Sequence, residues 1–325
     1  MILVLIIVAL LFIFFIATYS TYWHDIANAT EFQHRFKPKI LTIENGTIEY
    51  ALLGKGDPVL FVHGASGGYD QALTLGRTLL NDQFQIIAPS RYGYQNTKTE
   101  SEFSVQLQAD MHITLLDALG IKKVSVVGIS SGAPSCIDLA IRYPERVSDL
   151  ILIAPLTYSP QRLRNNLKKS WPFILSIYFK WDYPLWLGMN LIPSTILTRV
   201  GIPKKLQNAL TTLQKKKIMK SLLPFKSKIK GLNIDGNLLS NPQPAQLHLI
   251  KTPTLVITSK DDPWKTIEGA KYVASKIANA KFICYQSGGH LLNGREEDVR
   301  FQLVTFILSE TKLLSKDKQL SGIPA

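Results

Sequence analysis

Cysteine is scarce: the chain has two in 325 residues, Cys136 and Cys284, far apart in sequence. A disulfide framework needs more cysteines at closer spacing, so both read as small buried apolar residues. No CxxC or HExxH pattern occurs, and neither a metal nor any other cofactor is expected. Acidic residues are in deficit, 24 Asp and Glu against 37 Lys and Arg, which leaves a net charge of +13. A surplus of that size attracts anionic surfaces. Yet no basic helix carries base-reading residues and no zinc-finger spacing appears, so nucleic acid is not the expected partner. Internal repeats are absent. Charged residues make up only 19% of the chain and hydrophobic ones 46%, which argues for an ordinary buried core and against wholesale disorder.

One long apolar run stands out. Residues Ile2 to Ile16 are apolar without a break, and small and aromatic residues extend the run to Trp23. About 20 such residues span a bilayer as a helix. Tyr19, Tyr22 and Trp23 stand where interfacial aromatics collect. The expectation is a single-pass anchor over 1–23, a polar linker over 24–38, and contact with the membrane through that helix. Arg35, Lys37 and Lys39 follow the segment and no basic residue precedes it, which puts the folded part on the cytoplasmic side. Export after signal cleavage is the alternative, but a positive n-region and a small-x-small cleavage site are both missing.

Past the linker, strands and helices alternate. Asn45-Gly46 between two short apolar runs signals a hairpin. Strands are expected over 59–62, 84–88, 123–127, 147–153, 254–258 and 281–285. Helices are expected over 70–80, 104–119, 131–142, 267–277 and 297–308. This rhythm predicts an α/β fold with a mostly parallel central sheet flanked by helices. Residues 39–155 and 249–312 form its core, 156–248 interrupt it as a helical lid, and 313–325 are a frayed polar tail.

Chemistry-bearing residues cluster at the turns. Gly128-Ile129-Ser130-Ser131-Gly132 joins a β-branched strand to a helix in the G-x-S-x-G pattern that exposes a serine nucleophile on a sharp turn. The helix that follows aims its free N–H groups at developing negative charge. After the strand 59–62 comes His63-Gly64-Ala65-Ser66-Gly67-Gly68. There the Ala65 N–H can pair with the Ser131 N–H as an oxyanion hole. His63 and Gly64 read as support for that loop, and no Gly-Lys-Ser or Gly-Lys-Thr follows to make it a Walker loop. Of six histidines, His24 and His34 lie beside the membrane segment, His112 lies within a helix, and His248 precedes a strand at the wrong end of the sheet. His290, after Ser287-Gly288-Gly289, is left as the general base. The acid follows the strand 254–258: Asp262, immediately before Pro263, is preferred, with Asp261 as the alternative. The order Ser, Asp, His suits this kind of fold.

These four turns together resemble the α/β-hydrolase superfamily over about residues 40–310, in its serine-nucleophile, HGxxG-type branch. A membrane-anchored group within that branch carries a segment like Ser90-Arg91-Tyr92-Gly93-Tyr94. The resemblance implies Ser130 as nucleophile, His290 as base, Asp262 as acid, and Ala65 and Ser131 as oxyanion donors. Ser259 departs from the glycine that many relatives have before the acid. A serine nucleophile argues against the dehalogenases and epoxide hydrolases of this fold, which attack with aspartate. It favours cleavage of a carboxylic ester or thioester through an acyl-enzyme. C–C bond hydrolysis, acyl transfer and non-catalytic ligand binding are the alternatives. The lid is rich in aromatics (Trp171, Phe173, Tyr178, Phe179, Trp181, Tyr183, Trp186) and lysines (168, 169, 204, 205, 215–217, 220). It is the hint of a lipid-like substrate and of a second membrane contact.

Overall fold

A computed structural model describes residues 1–80, 82–160, 182–240 and 242–320. Its centre is one sheet. Strands β1 (Lys39–Ile43) and β2 (Gly46–Leu53) form an antiparallel hairpin. Ile43 pairs with Gly46, so the turn is Glu44-Asn45 and Gly46 opens the second strand. A Cβ at Gly46 would strike the Lys98 carbonyl, because the short β5 (Lys98–Thr99) pairs with β2 there. Then follow β3 (Asp57–Val62), α2 (Tyr69–Leu79), β4 (Phe84–Pro89), α3 (Val105–Ala118) and β6 (Val124–Ile129). The chain continues through α4 (Ala133–Arg142), β7 (Val147–Ile153), β8 (Thr254–Ser259), α10 (Ile267–Lys276), β9 (Ala280–Tyr285) and α11 (Glu296–Leu320).

The sheet order is β1-β2-β4-β3-β6-β7-β8-β9, antiparallel at β1/β2 and β2/β4 and parallel from β4 onward. The central strands are apolar on both faces, as a doubly covered parallel sheet requires. Val126, Leu150, Leu152 and Val256 pack towards α3, α4 and α10. Their alternates Val127, Ile129, Ile151, Ile153, Leu255 and Ile257 pack towards α2 and α11. The chain runs outward from β3 to β4, then crosses back to β6 on the other side of β3. This reversal of strand order opens a crevice at the carboxyl ends of β3 and β6. The His63 loop and the Ser130 turn emerge there.

Between β7 and β8 the described residues hold five α-helices: α5 (Asp182–Leu191), α6 (Pro193–Arg199), α7 (Lys204–Ala209), α8 (Thr212–Lys220) and α9 (Ile229–Ser240). They share an apolar cluster of their own, including Leu185, Trp186, Leu197, Ile202 and Phe225. Of the expected lid residues, Lys168, Lys169, Trp171, Phe173, Tyr178, Phe179 and Trp181 lie outside the described residues.

Two expectations about the ends are corrected. The segment 24–38 is not a linker: α1 runs unbroken over Ile2–His34. It contains no proline or glycine, Glu31 and Arg35 form an i,i+4 pair, and the first interruption is Lys37 at φ 51 before Pro38. Its second half is docked. Tyr22 is buried in the insertion's cluster, the Thr18 and Tyr183 hydroxyls hydrogen-bond at 2.6 Å, and Asp25 accepts from Trp186 Nε1 at 2.9 Å and Lys220 Nζ at 2.6 Å. Gln33 reaches the core through Asp70 at 3.0 Å. The first half, Met1 to Ile16, is exposed apolar surface. At the other end, α11 continues through the expected tail to Leu320, since no Gly or Pro interrupts it before Gly322.

Candidate active site

The elbow is built by close approach. Strand β6 ends at Ile129, a single 3-10 turn covers Ser130–Gly132, and α4 starts at Ala133. Ser130 has φ 53, a left-handed conformation that costs a non-glycine residue about 1–2 kcal/mol. The flanking glycines make room for it. A Cβ on Gly128 would lie 2.7 Å from Cys136 Sγ, and one on Gly132 would lie 2.5 Å from the His63 carbonyl oxygen.

Ser130 Oγ lies 2.7 Å from His290 Nε2, and His290 Nδ1 lies 2.8 Å from Asp262 Oδ2. All three residues are buried, at 3%, 6% and 5% exposure. Asp262 also accepts from the Trp264 amide at 2.8 Å and from the Thr266 hydroxyl. Burial pushes the Asp262 carboxyl up, but the bonds from His290, Thr266 and Trp264 outweigh it and hold its pKa below the ordinary value. With Asp262 ionised, Nδ1 carries the imidazole proton and Nε2 is free to accept from Ser130.

Asp261 faces elsewhere. Its Oδ1 accepts from the Gly289 amide at 2.9 Å, and the Ser259 hydroxyl lies 2.9 Å from that oxygen and 2.8 Å from the Gly289 carbonyl. Ser259 and Asp261 thus hold the turn that carries His290. The departure at Ser259 has a local purpose and leaves Asp262 as the carboxylate on the imidazole. Gly289 adopts φ 63 in that turn, where a Cβ would also meet the Gly201 carbonyl oxygen at 2.6 Å.

The second loop lies against the first. A Cβ on Gly64 would come to 3.0 Å from Ser130 Cβ, and the Gly64 amide is tied to Gln71 Oε1 at 3.0 Å. His63 is fully buried, and burial together with the Arg91 charge drives its pKa well below the ordinary value. Its Nε2 accepts the Arg91 amide at 2.9 Å, so Nδ1 holds the proton and donates to the Gly64 carbonyl at 2.7 Å. His63 therefore anchors the loop to the end of β4.

The structure gives the 90–94 motif a place at the site and brings in Asp235 and Gly201, which the sequence reading did not single out. Arg91 forms a two-pronged ion pair with Asp235 of α9, both contacts 2.7 Å, and the Tyr94 hydroxyl donates to the same carboxylate. Burial opposes the Arg91 charge, yet Asp235 beside it raises the pKa above even the usual arginine range. Gly201, between α6 and α7, accepts the His290 amide at 2.8 Å. The segment 90–94 carried a signal as a motif; Asp235 and Gly201 carried none. A cavity of about 580 Å³ adjoins the elbow, lined by Ser131, Pro134, Ile137, Leu156, Tyr158 and Leu238 among others. Neither Ser130 nor His290 lines it.

Comparison with known proteins agrees with this architecture. The alpha/beta hydrolase fold family model matches residues 57–296. The chain is 29% identical to the uncharacterized hydrolase YcgS of Bacillus subtilis, over 78% of this chain and 91% of that one. It is 25% identical to a 2-hydroxymuconate semialdehyde hydrolase of Pseudomonas putida, over 80% and 90%. Among solved structures, an alpha/beta hydrolase fold protein from Nakamurella multipartita superposes with TM-score 0.68 at 23% identity, over 83% of this chain and 98% of that chain. A membrane phospholipase A superposes with TM-score 0.66 at 15% identity, over 94% and 98%, which is a likeness of fold. With the sheet order, the elbow and the family match in agreement, this chain belongs to the α/β-hydrolase family and is an enzyme of that family.

Proposed function

We propose that this enzyme is a serine hydrolase that cleaves a carboxylic ester or thioester through an acyl-enzyme. The observation that carries the reading is the continuous hydrogen-bonded chain Asp262–His290–Ser130, at 2.8 and 2.7 Å, ending at a serine on a strained elbow. Ser130 Oγ attacks the acyl carbon while His290 Nε2 takes its proton. The Ala65 and Ser131 amides donate to the oxyanion. His290 then returns the proton to the departing alcohol or thiol. Water repeats the cycle on the acyl-enzyme and releases the acid.

The substrate is read from surroundings. Helix α1 holds a stretch with mean hydropathy 3.1, its first half is exposed, and its second half is docked on the insertion. That docking favours a retained anchor, because cleavage after Trp23 would remove Thr18 and Tyr22 from their partners. The likeness to a membrane phospholipase A covers 94% of the chain, a share that takes in part of α1. The cavity at Ser131 falls in the size range of small-molecule sites and is mainly apolar. We therefore read the substrate as an acyl ester of moderate to long chain drawn from the membrane. Arg35, Lys37 and Lys39 after α1 support a cytoplasmic catalytic domain, and the described lid lysines a second contact with anionic lipid.

Fluorophosphonate labelling tests the chemistry: the protein should label at Ser130, and Ser130→Ala should not. Folded protein that fails to label would favour a ligand-binding role. A p-nitrophenyl ester series tests the substrate, and a strictly short-chain preference would sink the lipid reading. One second reading has a specific ground, the similarity to a 2-hydroxymuconate semialdehyde hydrolase. Faster turnover of a ring-cleavage semialdehyde than of any ester would move the assignment to C–C bond hydrolysis.

A further inference from the structure

The ion pair beneath the elbow is unusual in where it leads. Asp235 lies on α9, 104 residues beyond Ser131, yet its Oδ2 accepts the Ser131 hydroxyl at 2.9 Å. Arg91 Nη2 donates to that same hydroxyl oxygen at 2.9 Å, and Nη1 reaches the Ser131 carbonyl at 3.3 Å. The side chain and the carbonyl of Ser131 are thus held from two sides. Arg91, Ser131 and Asp235 are at most 5% exposed.

Stability alone does not account for this arrangement. A buried ion pair is seldom a net stabiliser over apolar packing of the same shape. Arg91 also leaves Nε buried with no partner among the described residues, an added desolvation cost. The backbone, by contrast, is built to bring α9 in. The Gly231 amide donates to the Gly93 carbonyl at 2.8 Å, and a Cβ at Gly231 would overlap the Tyr94 ring. Asp235 lies four residues further on, on the same face of the helix.

We propose that Asp235 and Arg91 are positioning residues for the oxyanion donor Ser131, so that the insertion helps to form the oxyanion hole as well as covering the site. This rests on the serine-hydrolase reading above. An oxyanion donor works only when aimed to within a few tenths of an ångström of the developing charge. Ser131 follows the strained Ser130 directly, so its amide direction depends on what grips the rest of the residue. The grip comes from α9 through Asp235 and from the β4 loop through Arg91.

The test uses the full chain in detergent and reads the second-order rate of fluorophosphonate labelling, whose anionic transition state occupies the same hole. Asp235→Asn and Ser131→Ala should each slow labelling by about tenfold to a hundredfold, less than or equal to the loss of a whole donor. For a p-nitrophenyl ester, kcat should fall by the same factor with KM nearly unchanged. The double variant should be no slower than the slower single one, because both changes cut one link. Wild-type rates in folded Asp235→Asn, or multiplied losses in the double variant, overturn the proposal. If Asp235→Asn does not fold, Ser131→Ala decides, since it leaves the ion pair whole: an unchanged rate overturns the proposal. Wild-type protein that does not label overturns both this inference and the hydrolase reading; labelled wild type with unaffected variants overturns this inference alone.

Discussion

Replacing Gly201 with alanine should disable the enzyme from a residue that has no reacting atom. Gly201 has φ +94, and its carbonyl accepts the His290 amide at 2.8 Å. An added Cβ would fall well inside 3.0 Å of His290 Cβ and 3.1 Å from its Cγ, whereas ordinary contact begins at 3.4 Å. Relief requires His290 to move by about 1 Å, and a displacement of that size at a reacting group can cost about 10²-fold in rate. The reason is visible in the distances. The Nε2 to Ser130 Oγ bond is 2.7 Å, and adding that shift takes it past hydrogen-bonding range. The positive φ adds about 1–3 kcal/mol of strain to the folded state. The assay is kcat on a p-nitrophenyl ester beside thermal unfolding of the same preparation. A drop of about 10²-fold with a folded baseline is expected. Folded Gly201→Ala with kcat within about threefold of wild type would refute the reasoning, because the α6–α7 turn would then be yielding in place of His290.

Three further outcomes follow from the geometry. Asp262→Asn should lower kcat by about 10⁴-fold, since an amide no longer fixes the Nδ1–H tautomer of His290; a loss under about tenfold would remove Asp262 from the acid role. Burial, with the Arg91 charge adding to it, pushes His112 down to about 3, far below its ordinary 6.5. Below about pH 6.5 the unfolded chain takes up a proton that folded His112 refuses, so stability falls with pH, by about 2 kcal/mol by about pH 5. Urea unfolding of His112→Gln should show a shallower decline between about pH 7.5 and about pH 5, and parallel curves would refute the linkage. Asp25→Ala removes the acceptor of Trp186 and Lys220 and should cost about 1–2 kcal/mol of stability in detergent. An unchanged unfolding temperature would mean that α1 is not held by the insertion.

Local chemistry was legible in the amino-acid order wherever the cause of a conformation lies within a few residues. The run Val124-Ser125-Val126-Val127 makes a buried strand, Gly128 and Gly132 permit a sharp turn around Ser130, and α4 follows. The apolar stretch Ile2 to Ile16 makes a helix by the same local logic. Choosing between Asp261 and Asp262 needed three dimensions. They are neighbours in the chain, but one side chain turns to His290 and the other to the Gly289 amide. The helical course of residues 24–34 was missed because its polar face reads as a linker until Trp186 and Lys220, more than 150 residues away, supply partners for Asp25. By itself, then, the sequence determined the strands other than β5, the elbow serine, the histidine after two glycines and the apolar N-terminal run, since each rests on short-range sterics or hydrophobic periodicity. Only the tertiary structure decided which carboxylate meets His290, that α1 is docked on the insertion, and that Asp235 and Gly201 reach Ser131 and His290, because those contacts join segments that nothing in local order relates.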